Sequence, residues 1–178
     1  MSDEATDSAL IARWKAGDQR AASDLVARHA NPLARFASTL GERDDIEELV
    51  QDTFVRAFGS IDSFRGDSSL RTWLFTIERR LVVDRRRAAR RRRGEVSVRD
   101  DDVSTDYSAL DGVVADETEQ RLVSAMNRLS PMQREVFTLR VSEGMSYRDI
   151  AALVGSTEGA ARVHYHNALR AVKELIDE

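Results

Sequence analysis

Residues 129–163 read LSPMQREVFTLRVSEGMSYRDIAALVGSTEGAARV and decide the fold of the C-terminal third of the chain. Ser130, which precedes a proline, is typical of an N-cap followed by a first helical residue. Ser146 has the same capping chemistry, and Gly155 is typical of a residue that ends a helix. Thr157 is a further capping residue, so a second helix begins directly after the first. Two helices joined by a tight turn that contains glycine form a helix-turn-helix.

The residues upstream of this motif are strongly segregated by charge. Residues 70–93 carry 10 arginines and 2 carboxylates, a net charge of +8, whereas residues 94–120 carry 1 arginine and 9 carboxylates, a net charge of −8. The basic block is a candidate site for phosphate groups, which the planar guanidinium binds through two hydrogen bonds. The acidic stretch has no sustained apolar periodicity, so we predict that residues 94–116 form a flexible, solvated linker.

Apolar residues at helical spacing predict four further helices before the linker. They cover residues 7–16, a stretch up to Gly41 that kinks or restarts at Pro32, residues 46–59, and a stretch from about Leu70 through Arg93. With only 9 Gly and 2 Pro among 178 residues, the chain has few of the turns that a many-stranded sheet needs. The predicted fold is therefore all-α, with a four-helix domain at 1–93 and a helix-turn-helix domain at 117–178.

The composition excludes several classes of function. The chain has no cysteine, which rules out disulfides, thiolate zinc sites and thiol nucleophiles. His29 is alone on its predicted helix, and His164 and His166 are two residues apart, whereas a metal pair on one helix face needs a spacing of four. The chain has no Walker loop, Rossmann glycine pattern or nucleophile elbow. We therefore expect no catalysis, no cofactor and no bound metal.

The N-terminal residues predict a protein that stays in the cytoplasm. They read MSDEATDSALIARW and are acidic where a signal peptide is basic. No stretch approaches the ~20 apolar residues that a membrane span requires. We therefore expect no stable membrane insertion.

Three stretches of the chain resemble one family. DIEELVQDTFVRAF at 45–58 is similar to its polymerase-binding helix, SFRGDSSLRTWLFTIERRLVVDRRR at 63–87 to its promoter-melting segment, and residues 129–163 to its upstream-element reader. The family is that of the extracytoplasmic-function (ECF) sigma factors, the promoter-specificity subunits of bacterial RNA polymerase. The similarity runs from about Asp7 to Leu175. It implies a protein that binds core RNA polymerase, directs it to specific promoters and helps to melt them.

The resemblance implies a docking site for core RNA polymerase on the helix at 45–58. Its charged residues would form one face, and its apolar residues would pack either inward or onto the partner. The implied polymerase-binding residues are Glu48, Leu49, Gln51, Asp52, Phe54 and Arg56. Charge steering combined with a small apolar anchor suits a reversible subunit contact.

The resemblance implies a minus-ten site in the next segment, where a loop would hold an extruded base and arginines would follow the single-stranded backbone. The implied residues are Ile61, Asp62, Ser63, Phe64, Arg65, Arg71, Thr72, Trp73, Arg79, Arg80, Arg85, Arg86 and Arg87. Phe64 and Trp73 are also compatible with simple core packing. Relatives usually carry Arg-Asn where this chain has Arg79-Arg80, which predicts a changed minus-ten preference.

The resemblance implies that the helix-turn-helix reads the minus-thirty-five element in the major groove. The implied residues are Tyr147, Arg148, Thr157, Glu158, Arg162, Val163, His164, His166, Asn167 and Arg170. Relatives often carry Arg or Lys where this chain has His164 and Asn167, which predicts weaker or differently specified binding.

The expected partners are core RNA polymerase, double- and single-stranded promoter DNA and, by family likeness, a separate anti-sigma factor. Two other functions remain open from the residues. One is a stand-alone helix-turn-helix regulator that binds duplex DNA without polymerase. The other is a protein-interaction module that sequesters another sigma factor.

Overall fold

The computed structural model describes residues 6–94 and 117–176, so the predicted linker lies outside the described residues apart from Gly94. The described residues form eight α-helices and one short 3₁₀ turn. The helices are α1 (Asp7–Lys15), α2 (Gln19–Thr39), α3 (Ile46–Gly59), α4 (Leu70–Arg93), α5 (Glu117–Arg128), α6 (Pro131–Val141), α7 (Tyr147–Val154) and α8 (Glu158–Ile176). The all-α prediction is confirmed. None of the helices in these two ranges has the length and apolar character needed to cross a membrane.

The predicted capping residues lie at the ends of the helices. The Ser130 hydroxyl accepts a hydrogen bond from the Gln133 amide at 3.3 Å, and the Gln133 side chain accepts one from the Ser130 amide at 3.0 Å. This reciprocal capping box begins α6. The Ser146 hydroxyl caps α7 through the amide of Asp149 at 3.1 Å, and Gly155 ends α7 at a φ of 71°. The predicted helix-turn-helix is confirmed by this geometry.

Pro32 does not interrupt its helix. α2 runs from Gln19 to Thr39 with Pro32 inside it. Of the predicted kink or restart at this residue, the restart is therefore wrong. Pro32 is buried, and the following Leu33 and Phe36 are each only 1% exposed. The burial of this face offsets the backbone hydrogen bond that proline cannot donate.

The first four helices enclose an apolar core. α1 packs on α2, while α3 and α4 pack on α2 and on each other. The rings of Phe36 in α2 and Phe75 in α4 are centred 4.7 Å apart. Asp7 links α1 to α2, because its carboxylate accepts a hydrogen bond from Arg28 at 2.7 Å and lies 3.0 Å from His29 Nε2. Burial lowers the pKa of His29, and the neighbouring Asp7 carboxylate partly opposes this shift.

The C-terminal helices pack on this core. α6 contacts α2, and α7 contacts α4. Val136, Leu139 and Ile150 are fully buried in the same apolar cluster as Phe36 and Phe75. The two predicted helical domains are present, and in the structure they also pack on each other through a shared core. Apolar periodicity shows which face of a helix is buried, but it does not show which other helix covers that face.

The centre of α4 carries a carboxyl group in the core. Glu78 is 0% exposed and follows the buried Phe75 by three residues. Neither carboxyl oxygen of Glu78 has a hydrogen-bond partner within the described ranges. Burial raises the pKa of Glu78 well above its ordinary value, because water does not solvate a carboxylate there. An ionised Glu78 therefore destabilises the fold.

Replacement of Glu78 by methionine should stabilise the protein at neutral pH. An unsatisfied buried polar group costs about 1–3 kcal/mol, and we expect the free energy of unfolding at pH 7.5 to rise by about that amount. Since the pKa of Glu78 is raised in the folded state, the native protein should lose stability as the pH rises above 4.5, its ordinary value. The Glu78→Met variant should lose less stability than the native protein over the same rise in pH. Urea denaturation followed by circular dichroism between pH 5 and pH 8, at spacings of about half a unit, measures both effects.

Glu78→Gln is the matched control for this substitution. It removes the charge but leaves a polar group in the core, so it should flatten the pH dependence while stabilising the protein less than Glu78→Met does. Equal stability of the native protein and both variants at neutral pH would contradict the prediction.

Candidate functional site

α3 exposes a narrow face of four residues at helical spacing. Glu48, Gln51 and Val55 are exposed, and the Asp52 side chain is 47% exposed. Positions separated by three and four residues lie on one side of a helix, so these side chains form a continuous surface. Val55 is 70% exposed, more than any other large apolar residue in the described ranges. We name these four residues the α3 face, and Arg56 is exposed at its edge.

The two apolar residues predicted for polymerase docking lie on the opposite side of α3. Leu49 is 1% exposed and packs with Leu81 and Val82 of α4. Phe54 is 6% exposed, and its ring is centred 5.9 Å from that of Phe58. The sequence allowed Leu49 and Phe54 to pack either into the core or onto a partner, and in the structure both pack into the core. A partner of α3 would therefore meet the α3 face and not these two residues.

The predicted base pocket is the loop between α3 and α4. Ile61 is 6% exposed and anchors the loop to the core. Phe64 and Trp73 are half-buried against the core, with ring centroids 5.2 Å apart. The sequence was compatible with packing of both residues against the core, and this packing is present in the structure. Of the loop residues predicted to contact DNA, Asp62, Ser63 and Arg65 are exposed. The Thr72 amide donates to the Ser69 hydroxyl at 3.1 Å, which caps α4 directly after the loop.

Two of the arginines predicted to bind single-stranded DNA pair with carboxylates of α3 and of the segment between α2 and α3. Arg85 lies 2.6 Å from Asp52 and 3.2 Å from Glu48, so it binds two residues of the α3 face. Arg86 lies 2.9 Å from Glu42 and also donates to the backbone carbonyl of Leu40. These contacts join α4 to the α3 face and to the end of α2. Arg80 and Arg87 are exposed.

Two other predicted DNA-binding arginines pair with carboxylates of the C-terminal half. Arg79 Nε donates to Glu135 at 2.6 Å, and Arg71 donates to Glu143 at 3.2 Å. The side chains of Glu135 and Glu143 are only 6% and 4% exposed. Solvent therefore screens these pairs less than it screens surface pairs. We name them the interdomain pairs. They neutralise both arginines, although the Arg71 side chain is still 39% exposed and the Arg79 side chain 22% exposed.

α8 exposes most of the residues predicted to read duplex DNA. Its exposed members are Glu158, Arg162, Val163, His166 and Arg170, while His164 and Asn167 are half-buried. Val163 is 58% exposed, which makes it available for contact with an apolar group such as a thymine methyl. The Thr157 hydroxyl accepts a hydrogen bond from the Ala160 amide at 3.2 Å, so it caps α8. Arg148 of α7 is also exposed.

Tyr147, the first residue of α7, lies in a cluster of aromatic and cationic side chains. The guanidinium carbons of Arg140 and Arg162 are 4.7 and 4.8 Å from the centroid of its ring. Tyr165 of α8 packs edge-on against Tyr147 with centroids 5.9 Å apart. Arg140 also donates to the backbone carbonyl of Met145 at 2.6 Å. The cluster therefore joins α6, α7 and α8 and places Arg162 beside the start of α7.

Comparison with known proteins identifies the family. Residues 25–92 match the family model of Sigma-70 region 2, and residues 119–172 match that of Sigma-70 region 4. The chain is 31% identical over 185 residues to the ECF RNA polymerase sigma-E factor of Haemophilus influenzae. The aligned region covers 99% of this chain and 98% of that protein. The chain belongs to the ECF sigma factors. This sigma factor is also 33% identical over 165 residues to the RNA polymerase sigma factor NccH of Alcaligenes xylosoxydans, with 90% and 89% of the two chains covered.

Solved structures support the same assignment for the fold. The sigma factor RpoE in complex with the anti-sigma factor NepR, from Bartonella quintana, matches this sigma factor with a TM-score of 0.66 and 31% identity, over 87% of this chain and 96% of that one. CnrH in complex with the cytosolic domain of CnrY matches with a TM-score of 0.64 and 31% identity, over 94% and 95% of the two chains. The predicted two-domain sigma-factor architecture and the function as an ECF RNA polymerase sigma factor are confirmed.

Three features of the sigma factor's surfaces were missed by the sequence analysis. The helical spacing of Val55 from Gln51 and Asp52 places the three residues on one face of α3, but the exposure of Val55 depends on how α3 packs. Arg140 stands among apolar residues of α6, so its contact with Tyr147 had no sequence signal. Glu135 lies between Arg134 and Val136 in the sequence, and nothing in the sequence assigns it to Arg79.

Loss of the interdomain pairs should loosen the contact between the two halves of the sigma factor. In Glu135→Gln/Glu143→Gln, the two arginines lose their anionic partners, and we expect the free energy of unfolding to fall by about 1–3 kcal/mol. We also expect the radius of gyration, measured by small-angle X-ray scattering, to increase.

Glu158→Gln is the control for these substitutions, because the Glu158 side chain is 50% exposed and lies 3.8 Å from Arg162 on the same helix. This control should leave the radius of gyration unchanged. An equal radius in the native protein and the double variant would show that the pairs do not hold the two halves together.

Proposed function

We propose that this sigma factor docks on core RNA polymerase through the α3 face. The observation that carries the proposal is the 70% exposure of Val55 on a surface that also carries Glu48, Gln51 and Asp52. A small apolar anchor with acidic residues beside it suits a reversible contact, because the charges steer the encounter and the apolar group supplies affinity. The family assignment supports core polymerase as the partner.

In this proposal the two halves of the chain have separate tasks. Residues 1–93 bind the polymerase and melt the minus-ten element, residues 117–178 bind the minus-thirty-five element, and residues 94–116 link them. The linkage raises the effective concentration of each half at the promoter once the other half has bound. The matches to region 2 and region 4 fall on either side of the linker, which supports this division.

The loop before α4 and the start of α4 are the proposed minus-ten surface. Ser63 and Arg65 expose polar groups beside the paired rings of Phe64 and Trp73, an arrangement that suits the capture of an unstacked base. Arg80 lies further along α4, is exposed and forms no ion pair with another described residue. These groups are available to single-stranded DNA while the interdomain pairs are closed.

An anti-sigma protein is the proposed regulator. Two structural relatives were solved as complexes, one with the anti-sigma factor NepR and the other with the cytosolic domain of CnrY. A partner that contacted both halves of this chain would keep the interdomain pairs closed and Arg71 and Arg79 bound to their carboxylates. We further infer that the protein works in the cytoplasm and catalyses no reaction itself, since RNA synthesis belongs to the polymerase.

Val55→Glu should weaken docking on core polymerase by a factor of about 10 or more, since truncation or charge at a central apolar anchor commonly costs 1.4 kcal/mol or more. Fluorescence titration of labelled sigma factor with purified core polymerase measures the dissociation constant. Circular dichroism should show unchanged helix content, because the side chain is exposed.

Val163→Glu is the matched control for Val55→Glu, since it makes the same change at a 58% exposed valine on α8. It should bind core polymerase as the native protein does. Equal affinity of the native protein and Val55→Glu would remove the α3 face as the docking site, while failure of the folded native protein to bind would contradict the proposed function as a whole.

Arg80→Ala should reduce the salt dependence of single-stranded DNA binding. Each phosphate contact on a single strand contributes about 0.7 to the slope of log K against log salt, so the slope should become shallower by about that amount. The experiment uses the holoenzyme and a single-stranded oligonucleotide of random sequence, because phosphate contacts do not read bases.

Arg13→Ala is the control for Arg80→Ala, because Arg13 lies on α1 and pairs with Asp18 at 2.7 Å. It should leave the slope unchanged. The same slope for the native protein and Arg80→Ala would show that Arg80 does not contact the backbone.

A further inference from the structure

Arg162 is the fifth residue of α8. Arg162 lies near the N-terminal end of the helix, where residues of a recognition helix meet base edges. Its side chain is 57% exposed, and its nearest carboxylate, Glu158, lies 3.8 Å away. A long, exposed arginine ordinarily samples many rotamers and loses that freedom when it binds. An interaction that restricts the Arg162 side chain before it binds reduces this loss of freedom and therefore favours binding.

The ring of Tyr147 provides that restriction. The guanidinium carbon of Arg162 lies 4.8 Å from the centroid of the ring, within the range of a cation-π contact. A guanidinium is planar, and contact with a ring limits both its position and the orientation of its plane. Recognition of guanine by arginine requires a defined plane, because two parallel hydrogen bonds must reach O6 and N7 of the base.

The ring of Tyr147 is itself held by its neighbours. Tyr165 packs edge-on against it with centroids 5.9 Å apart. Arg140 lies 4.7 Å from the same centroid, and its hydrogen bond to the Met145 carbonyl fixes it to the loop before α7. Tyr147 also begins a helix that Ser146 caps. The platform under Arg162 is therefore built from three helices and does not depend on one flexible side chain.

The contact depends on the ring and not on the hydroxyl group. Within the described residues, the Tyr147 hydroxyl forms no hydrogen bond, whereas the ring contacts two guanidinium groups and Tyr165. A phenylalanine at this position would keep all three ring contacts. A leucine would fill part of the volume but would lack the negative face that attracts a cation.

We propose that Tyr147 is a positioning residue for Arg162, and that it holds the guanidinium in the orientation needed to read a base edge in the minus-thirty-five element. The proposal rests on the proposed function, because it requires α8 to enter the major groove of promoter DNA. Tyr147 then acts on sequence preference through Arg162, and Tyr147 itself need not contact a base.

The test begins with the sequence preference of the native protein. Holoenzyme reconstituted from the full chain and core polymerase is used to select duplexes from a library that is randomised upstream of a fixed start-site region. Dissociation constants are then measured for the selected duplex and for its single-base-pair variants. The proteins compared are the native chain, Tyr147→Phe, Tyr147→Leu, Arg162→Ala and Tyr147→Leu/Arg162→Ala.

The proposal expects Arg162→Ala and Tyr147→Leu to lose discrimination at the same base pair. A cation-π contact at a partly exposed site corresponds to a factor of about 2–5 in an equilibrium constant, which is the loss expected for Tyr147→Leu. Tyr147→Phe should keep the native discrimination. The double variant should discriminate no less than Arg162→Ala does, because both changes remove one interaction.

A second set of measurements covers the case in which Tyr147→Leu does not fold. Arg162→Lys changes only an exposed side chain and keeps its charge, but an ammonium group has no plane to be oriented. It should lose the same discrimination as Arg162→Ala while keeping affinity for non-specific duplex DNA. In the free protein, the nitrogen-15 order parameter of the Arg162 Nε group should be the same in the native chain and Tyr147→Phe.

Four results would overturn the proposal. The first two are native discrimination in folded Tyr147→Leu and native discrimination in Arg162→Ala. The third is a loss in Tyr147→Phe as large as that in Tyr147→Leu, which would assign the effect to the hydroxyl group. The fourth is native discrimination in Arg162→Lys. If the native holoenzyme selects no upstream sequence, the proposed role of α8 in reading DNA fails. This result differs from the four above, in which the native holoenzyme selects a sequence and only the proposed role of Tyr147 fails.

Discussion

The ion pair between Arg79 and Glu135 holds α4 against α6, and the pair between Arg71 and Glu143 holds the start of α4 near the segment that leads into α7. Glu135 and Glu143 have little contact with solvent, and a buried carboxylate is strongly destabilising unless a cation accompanies it. The two halves can therefore share an apolar core only in a register that brings these arginines to these carboxylates. The remaining contacts between the halves follow from that register.

The same constraint affects how the surfaces of this sigma factor can be used. Arg71, Arg79, Arg85 and Arg86 all lie on the helix proposed to bind DNA, and each is neutralised by a carboxylate of the chain. Two of the carboxylates come from the C-terminal half, and Arg85 takes its partners from the α3 face. Phosphate groups must compete with these carboxylates. The proposed docking of the α3 face and the proposed DNA binding by α4 would therefore be electrostatically linked through Arg85.

The helix-turn-helix is organised differently, because its proposed DNA-binding face carries few internal ion pairs. Its order comes from the capping box of α6, the Ser146 cap of α7 and the aromatic cluster around Tyr147. Most of its predicted contact residues remain exposed on α8. The proposed contact residues of the C-terminal half are therefore exposed while the interdomain pairs are closed, whereas four arginines of α4 proposed to bind DNA are paired with carboxylates.

The amino-acid sequence by itself determined the helices and their ends. α3 ends at Gly59 and α4 runs from Leu70 to Arg93 as predicted, because apolar periodicity, capping residues and glycines act within a few residues along the chain. The order of the three motifs was likewise sufficient for the family. Pro32 is the exception among these local signals, since its helix is maintained by the packing of Leu33 and Phe36.

The tertiary structure alone decided which faces are covered. It placed Leu49 and Phe54 in the core and Val55 at the surface, although all three are apolar residues of one helix. It also paired Arg79 with Glu135 across 56 residues of sequence and buried Glu78 without a hydrogen-bond partner among the described residues. Such contacts depend on the positions of several helices at once, so no periodicity or local motif records them. For this sigma factor, local interactions define the parts, and packing between helices decides which groups remain available to partners.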